Sequence, residues 1–206
     1  MTSLAGFALA SLALVAVPGP NLVYIITRSV QDGRRAGLVS ALGVETGTLV
    51  HCLLAVGGLA ALVTDHPIAL TVLRYAGAGY LAHLGVRTLL SRPAQAGDGP
   101  QQPARGRLLR VYGDAVLVNL LNPKVILFFL AFLPQFLPTG LSAAGTRARM
   151  LLLGAVFLAV ALTLDLCYAL LGAALTGRLR GTPRGRRWLS YAVGGVYLTL
   201  AALVFT

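Results

Sequence analysis

Six long apolar runs dominate this 206-residue sequence. A helix needs about 20 apolar residues to cross the hydrocarbon core of a bilayer, and each run is close to that length. We therefore expect an all-α membrane protein with six transmembrane helices. The runs lie near residues 4–26, 37–63, 67–90, 113–137, 150–175 and 188–205.

The charged residues are few and lie mostly between these runs. Only 11% of the residues are charged, whereas soluble domains carry about 25%. The net charge of +11 comes from arginines in short gaps, where such residues set topology and contact anionic lipid head groups. This placement indicates a lipid bilayer as partner and argues against nucleic acid. Because no catalytic or zinc motif is present, we expect no enzyme, no cofactor and no metal site.

The basic residues are distributed unequally between the gaps. Thirteen of the 17 Lys and Arg residues lie in the first, third and fifth gaps, and two lie in the second and fourth. Cytoplasmic loops carry an excess of Lys and Arg. The pattern predicts that the odd gaps are cytoplasmic and that both termini are periplasmic or extracellular.

One gap resembles a linker, because residues 94–106 are rich in Pro, Gly, Gln and Ala. It divides a single transmembrane domain, residues 1–206, into repeat 1 (about 1–92), a cytoplasmic linker (about 93–108) and repeat 2 (about 109–206). Three spans are an odd number, so the two halves insert with opposite orientation. Two inverted three-helix repeats are the architecture of many secondary transporters.

Two of the runs contain helix-breaking prolines, Pro18 and Pro20 in the first run and Pro123 in the fourth. Proline removes a backbone donor and clashes with the carbonyl four residues earlier, which for Pro123 is that of Asn119. We expect helices 1 and 4 to be broken, and paired breaks in corresponding helices indicate a substrate site at the midplane. Ordinary proline kinks, with Lys124 extending to the membrane surface, are the alternative. The candidate substrate-binding residues are Pro18, Gly19, Pro20, Asn21, Asn119, Asn122, Pro123 and Lys124.

Ionisable residues at membrane depth are candidates for function. Glu45 and Asp165 are candidates to bind a substrate ammonium or to carry a coupling proton. Glu45 shares a helix face with Thr48, and Asp165 shares one with Tyr168, which is a further candidate for the same role. The alternative is an ion pair between Lys124 and Asp165 that only holds helices together.

Each of two further residues has two alternative roles. His51 is either a proton relay or a packed, hydrogen-bonded histidine. Asp114 is expected to cap its helix or to pair with Arg110.

Several motifs together resemble one family. They are Pro18-Gly19-Pro20-Asn21 followed by residues 33–38, Gly43-x3-Gly47-x3-His51, Gly77-x2-Tyr80-Leu81-x3-Gly85, Asn119 to Lys124, and Leu133-Pro134-Gln135-Phe136.

This set is similar to the lysine and homoserine/threonine exporter superfamily (LysE/RhtB type). The resemblance implies six spans in the bacterial inner membrane and export of amino acids or their derivatives, by antiport against protons. Thr48 and Tyr168 differ from the acidic residue and the tryptophan frequent in the family, so the resemblance leaves the substrate open.

Other functions remain as alternatives at this point. Export of a metal cation would need more intramembrane carboxylates or thiols than Glu45, Asp165 and Cys52. A non-transporting membrane scaffold would not need paired breaks or a mid-span lysine. The leading hypothesis is a secondary active exporter whose partners are a small zwitterionic solute and protons. A homo-oligomer is left open.

Overall fold

The computed structural model describes residues 4–57, 67–90, 105–179 and 183–202, and most of these residues are helical, with no strand among them. Residues 94–104 of the predicted linker, Asp65 and His66 of the second gap, and the C-terminal Thr206 lie outside the described residues. The helices are α1 (Leu4–Ala16), α2 (Pro20–Asp32), α3 (Arg34–Val56), α4 (Pro67–Leu90), α5 (Arg105–Leu120), α6 (Pro123–Leu127), α7 (Ala143–Leu179) and α8 (Pro183–Ala202). A π-helical turn (Phe128–Phe132) and a 3-10 turn (Leu133–Phe136) continue α6.

The two predicted breaks are confirmed. The axis bends by 58° between α1 and α2, and by 49° between Gly106–Leu120 and Pro123–Phe136. Pro20 and Pro123 each begin the new helix, where a missing N–H costs nothing because the first amides have no helical partner. Each proline therefore ends one helix and starts the next.

Two described helical stretches are each long and apolar enough to cross a bilayer, α3 and residues Ala143–Ala174 of α7. Each bent pair also qualifies if it is counted as one span, so the described residues contain two to four candidate spans. The count of six stays a prediction. Large apolar side chains on α1, α3, α5 and α7 are exposed, as expected of surfaces that face lipid: Leu9, Leu53, Leu109 and Leu171.

The broken and unbroken helices pack in pairs. Among the described residues, each broken helix (α1 with α2, and α5 with α6) is followed by two unbroken helices. The first broken helix packs against α7 through α1 and α2, and the second packs against α3 mainly through α5. The helices α3 and α7 pack together, and so do α4 and α8.

Glycines bring α3 and α5 into close contact. A Cβ atom on Gly43 would lie 2.6 Å from the Tyr112 carbonyl oxygen, and one on Gly47 would lie 2.7 Å from Asn119 Oδ1. No side chain fits at either position without moving the helices apart.

Two apolar clusters fill the interior. The first includes Tyr24, Ile25, Val44, Leu84, Val111, Val118, Ala169 and Tyr197. The second includes Phe7, Cys52, Ala55, Val125, Phe128, Phe129, Leu153, Phe157 and Ala161. Four helical regions, counting each bent pair as one, contribute to both clusters, and each carries a polar side chain between its two contributions: Asn21 on α2, Thr48 on α3, Asn122 between α5 and α6, and Asp165 on α7. A polar layer thus separates the clusters.

A charged cluster joins α2, α4 and α5. Asp114 lies 3.5 Å from Arg28 and 3.4 Å from Arg87, and it accepts a hydrogen bond from the Tyr80 hydroxyl at 3.1 Å. The expectation that Asp114 caps its helix or pairs with Arg110 was therefore wrong, because the contacts between helices bring other arginines closer. Asp32 pairs with Arg28 and Arg107. These ion pairs place the first and third gaps at the same end of the molecule.

Candidate functional site

A small cavity lies where the two breaks meet. Its volume is about 40 Å³, which is room for a few water molecules at most. The polar lining comes from both broken helices and from α3 and α7: Gly19, Asn21, Glu45, Thr48, Asn122, Lys124 and Asp165. The apolar lining comes from both broken helices and from α7: Leu14, Val15, Leu22, Val125, Phe157 and Ala161.

The two breaks are joined by side-chain hydrogen bonds. Asn122 caps α6 by accepting a hydrogen bond from the Lys124 backbone N–H at 3.1 Å. The Asn122 side chain also donates to Asn21 Oδ1 at 3.0 Å. The Lys124 ammonium donates to the Val17 carbonyl oxygen at 2.7 Å. A backbone acceptor that the first break leaves without a helical partner is thus satisfied by a cation from the second break.

Two carboxyl groups line the cavity on α3 and α7. Glu45 is 6% exposed and Asp165 is 3% exposed, and their side chains lie close enough to interact directly. Within the described part of the chain, neither Glu45 oxygen has a well-aligned hydrogen bond. Lys124 is an electrostatic neighbour of Asp165, but the described residues contain no Lys124–Asp165 ion pair, so the alternative of a purely structural pair gains no support. The cavity therefore contains a cation and two carboxyl groups that do not neutralise each other by direct contact.

A polar network behind the cavity supports the second break. Asn119 is fully buried and donates through Nδ2 to Thr48 Oγ1 at 3.1 Å. Its carbonyl oxygen accepts a hydrogen bond from the Asn122 N–H at 3.0 Å. His51 Nε2 lies 3.3 Å from the same oxygen and is a hydrogen-bond donor when it carries the proton, and its ring stacks on Phe129. The carbonyl that Pro123 frees is thus satisfied within the protein.

The structure brings some of the predicted site residues to the cavity and leaves others near it. Gly19, Asn21, Asn122 and Lys124 line it, and so do both carboxylates, Glu45 and Asp165. Pro18, Pro20 and Pro123 shape the breaks without lining the cavity, and Asn119 and His51 lie behind it. Tyr168 packs against the first apolar cluster instead. The packed, hydrogen-bonded interpretation of His51 agrees with this placement.

The sequence reasoning missed the apolar lining, above all Phe157 and Ala161. The helical period could have identified them. They lie eight and four residues before Asp165 and therefore share its face of α7. The described residues contain no group of three or more His, Cys, Asp or Glu side chains that would hold a metal ion.

Comparison of the sequence with known proteins identifies the family of the chain. The model of the LysE type translocator family matches residues 12–206. The chain belongs to the LysE family of translocators. Membership of this family is evidence of a transporter rather than an enzyme.

This LysE-type translocator has curated relatives. It is 32% identical over 201 residues to the homoserine/homoserine lactone efflux protein of Salmonella typhimurium, an alignment covering 96% of this chain and 93% of the relative. It is 35% identical over 156 residues to the leucine efflux protein of Enterobacter sp. (strain 638), covering 74% of this chain and 68% of the relative. No solved structure matches this translocator.

Proposed function

We propose that the chain is a secondary active exporter of amino acids or their derivatives across the bacterial inner membrane, in exchange for protons. Relatives named for the efflux of homoserine, homoserine lactone and leucine support the substrate class. The observation that carries the proposal is the cavity between the two breaks, where Lys124 and two carboxyl groups line one space. A zwitterion needs a cation for its carboxylate and an anion for its ammonium.

The substrate carboxylate is proposed to bind Lys124 and the first amides of α2. Those amides, from Asn21 and Leu22, have no carbonyl four residues earlier in the helix, and the helix N-terminus favours negative charge. Lys124 would exchange the Val17 carbonyl for the substrate. The ammonium would lie against Asp165 and Glu45. Because the cavity of about 40 Å³ is too small for an amino acid, the breaks must move apart to admit one.

The facing carboxyl groups of Glu45 and Asp165 are the proposed proton carriers. Two close carboxylates repel each other when both are ionised, so a proton shared between them stabilises the pair, and the pair titrates as a unit. A bound ammonium would take the place of that proton. Substrate and proton would then bind alternately, which is the requirement for antiport.

The proposed architecture is six spans arranged as two inverted repeats, residues 1–92 and 109–206, joined by the linker. The pairing of α3 with α7, of α4 with α8, and of each broken helix with the partner half supports this symmetry. Broken helices from inverted halves can expose one central site alternately to each side of the membrane.

The proposed orientation has the odd gaps in the cytoplasm. The shared location of the first and third gaps supports it. Cysteine labelling in whole cells tests it in a background lacking Cys52 and Cys167. An impermeant reagent should label a cysteine replacing Thr206 but not one replacing Gly97, and the opposite result would refute this orientation.

Lys124 tests the site directly. Lys124→Ala and Lys124→Gln should each weaken amino-acid binding to purified protein by about 10–100-fold, since a hydrogen bond to a charged group contributes about 1.5–3 kcal/mol. Lys124→Gln removes the charge but keeps a polar side chain with an N–H donor, so comparison with Lys124→Ala separates the loss of charge from the loss of the side chain. Lys124→Arg should also weaken binding, because a planar guanidinium does not reproduce a compact ammonium.

Arg107→Gln is the matched control for Lys124. Its side chain is 60% exposed and pairs with Asp32 away from the cavity, so binding should be unchanged. Folded Lys124→Gln protein that binds an amino acid as tightly as the parent would place the substrate elsewhere.

A further inference from the structure

The cavity has two walls of opposite character. Lys124, Glu45 and Asp165 belong to the polar wall. The apolar wall is formed by Leu14, Val15, Val125, Phe157 and Ala161, and all five belong to the second apolar cluster or pack against it. The groups suited to a zwitterion thus lie on one side, and the space for the rest of the substrate lies towards the other.

The order of residues on α7 fixes this direction. Phe157, Ala161 and Asp165 follow at four-residue steps on one face, and each step is about 6 Å along the helix axis. A substrate whose ammonium contacts Asp165 therefore has Ala161 one step away and Phe157 two steps away. Leu14 and Val15, near the end of α1 and just before the first break, also line the apolar wall.

The apolar wall offers nothing to a charged side chain. All five residues that line this wall have apolar side chains. A lysine, arginine or glutamate side chain placed there would bury its charge without a partner, and this is costly. An aliphatic side chain would instead gain the favourable transfer from water.

We propose that the second cluster forms a side-chain subsite, and that this exporter therefore selects neutral amino acids with aliphatic side chains. This inference rests on the proposed function. Phe157 and Ala161 set the size limit. The Phe157 ring is held by Phe128 and Phe129, at centroid distances of 4.4 Å and 5.3 Å, so it forms a firm end wall. Ala161 leaves the space that a larger residue would fill.

Competition binding to the purified full chain tests the subsite with leucine, alanine, phenylalanine and lysine. The parent should bind leucine at least about tenfold more tightly than lysine, a discrimination within the range of hydrophobic pockets. Ala161→Leu, or the smaller change Ala161→Val if the first does not fold, should lower leucine affinity by about tenfold and spare alanine. Phe157→Ala should raise the affinity for phenylalanine relative to leucine.

Ala159→Leu is the matched control, because Ala159 lies on the same helix with its side chain exposed. It should leave all four affinities unchanged. Lysine bound as tightly as leucine by the parent would overturn the substrate class while leaving amino-acid export intact. An Ala161 variant that folds and loses leucine and alanine equally would overturn the subsite. A folded parent that binds none of the four amino acids would instead count against the proposed function itself.

Discussion

Lys124 and Asp165 lie on the same cavity in different surroundings. Lys124 already has a partner in the Val17 carbonyl, whereas Asp165 faces a second carboxyl group, that of Glu45. Lys124 can exchange one oxygen acceptor for another at little cost. The carboxyl pair is better placed to exchange a proton for an ammonium, because a positive charge relieves the repulsion between the two groups.

Asp165→Asn should therefore uncouple transport from protons. The amide keeps the size of the side chain but cannot exchange a proton, so any remaining flux should no longer respond to pH or to a proton gradient. Transport by reconstituted protein at several pH values measures this. Asp114→Asn is the control, because that carboxylate pairs with Arg28 and Arg87 outside the cavity, and its pH response should match the parent. An unchanged pH response in Asp165→Asn would show that Asp165 contributes only to packing.

The breaks are the elements that the sequence predicted best. Proline acts on its own helix, through a missing donor and a clash with the carbonyl four residues earlier, so its effect can be read locally. The positions of α2 and α6 followed directly from Pro20 and Pro123. The face shared by Glu45 and Thr48 was equally readable from the helical period, and both residues line the cavity.

Contacts between distant helices were harder to predict. The partners of Asp114 come from α2 and α4, and no local pattern distinguishes them from Arg110. The apolar wall was missed because Phe157 and Ala161 are ordinary residues for a membrane helix. Only the meeting of α1, α6 and α7 gives them a common cavity to line. A single polar residue at membrane depth already indicates a candidate site in the sequence. An apolar residue can be assigned to a site only once its neighbours in the structure are known.

Close packing of α3 on α5 should depend on Gly43. A methyl group there would overlap the Tyr112 carbonyl oxygen and Ala115. Gly43→Ala should therefore lower stability by about 1–3 kcal/mol, the usual cost of overpacking. Gly113→Ala, on α5 with nothing within 4 Å of its added Cβ, should have little effect. Thermal unfolding in detergent compares the two, and equal melting temperatures would contradict the close contact.

At the scale of the whole molecule, a polar layer separates two apolar clusters. Lys124, Glu45 and Asp165 lie in that layer, and each broken helix has its break there. A rearrangement of one half against the other would move the breaks relative to each other while each cluster stays packed. The site could then open towards either side in turn, as alternating access requires.

Uptake into inverted membrane vesicles tests this account most directly. In such vesicles export appears as uptake, and an acidic lumen provides the proton gradient that drives it. Vesicles containing the parent should accumulate labelled leucine when the lumen is acidic, and a protonophore should abolish the accumulation. Vesicles containing Lys124→Gln should accumulate no more than vesicles without the protein. Equal uptake by the parent and by vesicles lacking it, across a panel of amino acids, would contradict the account.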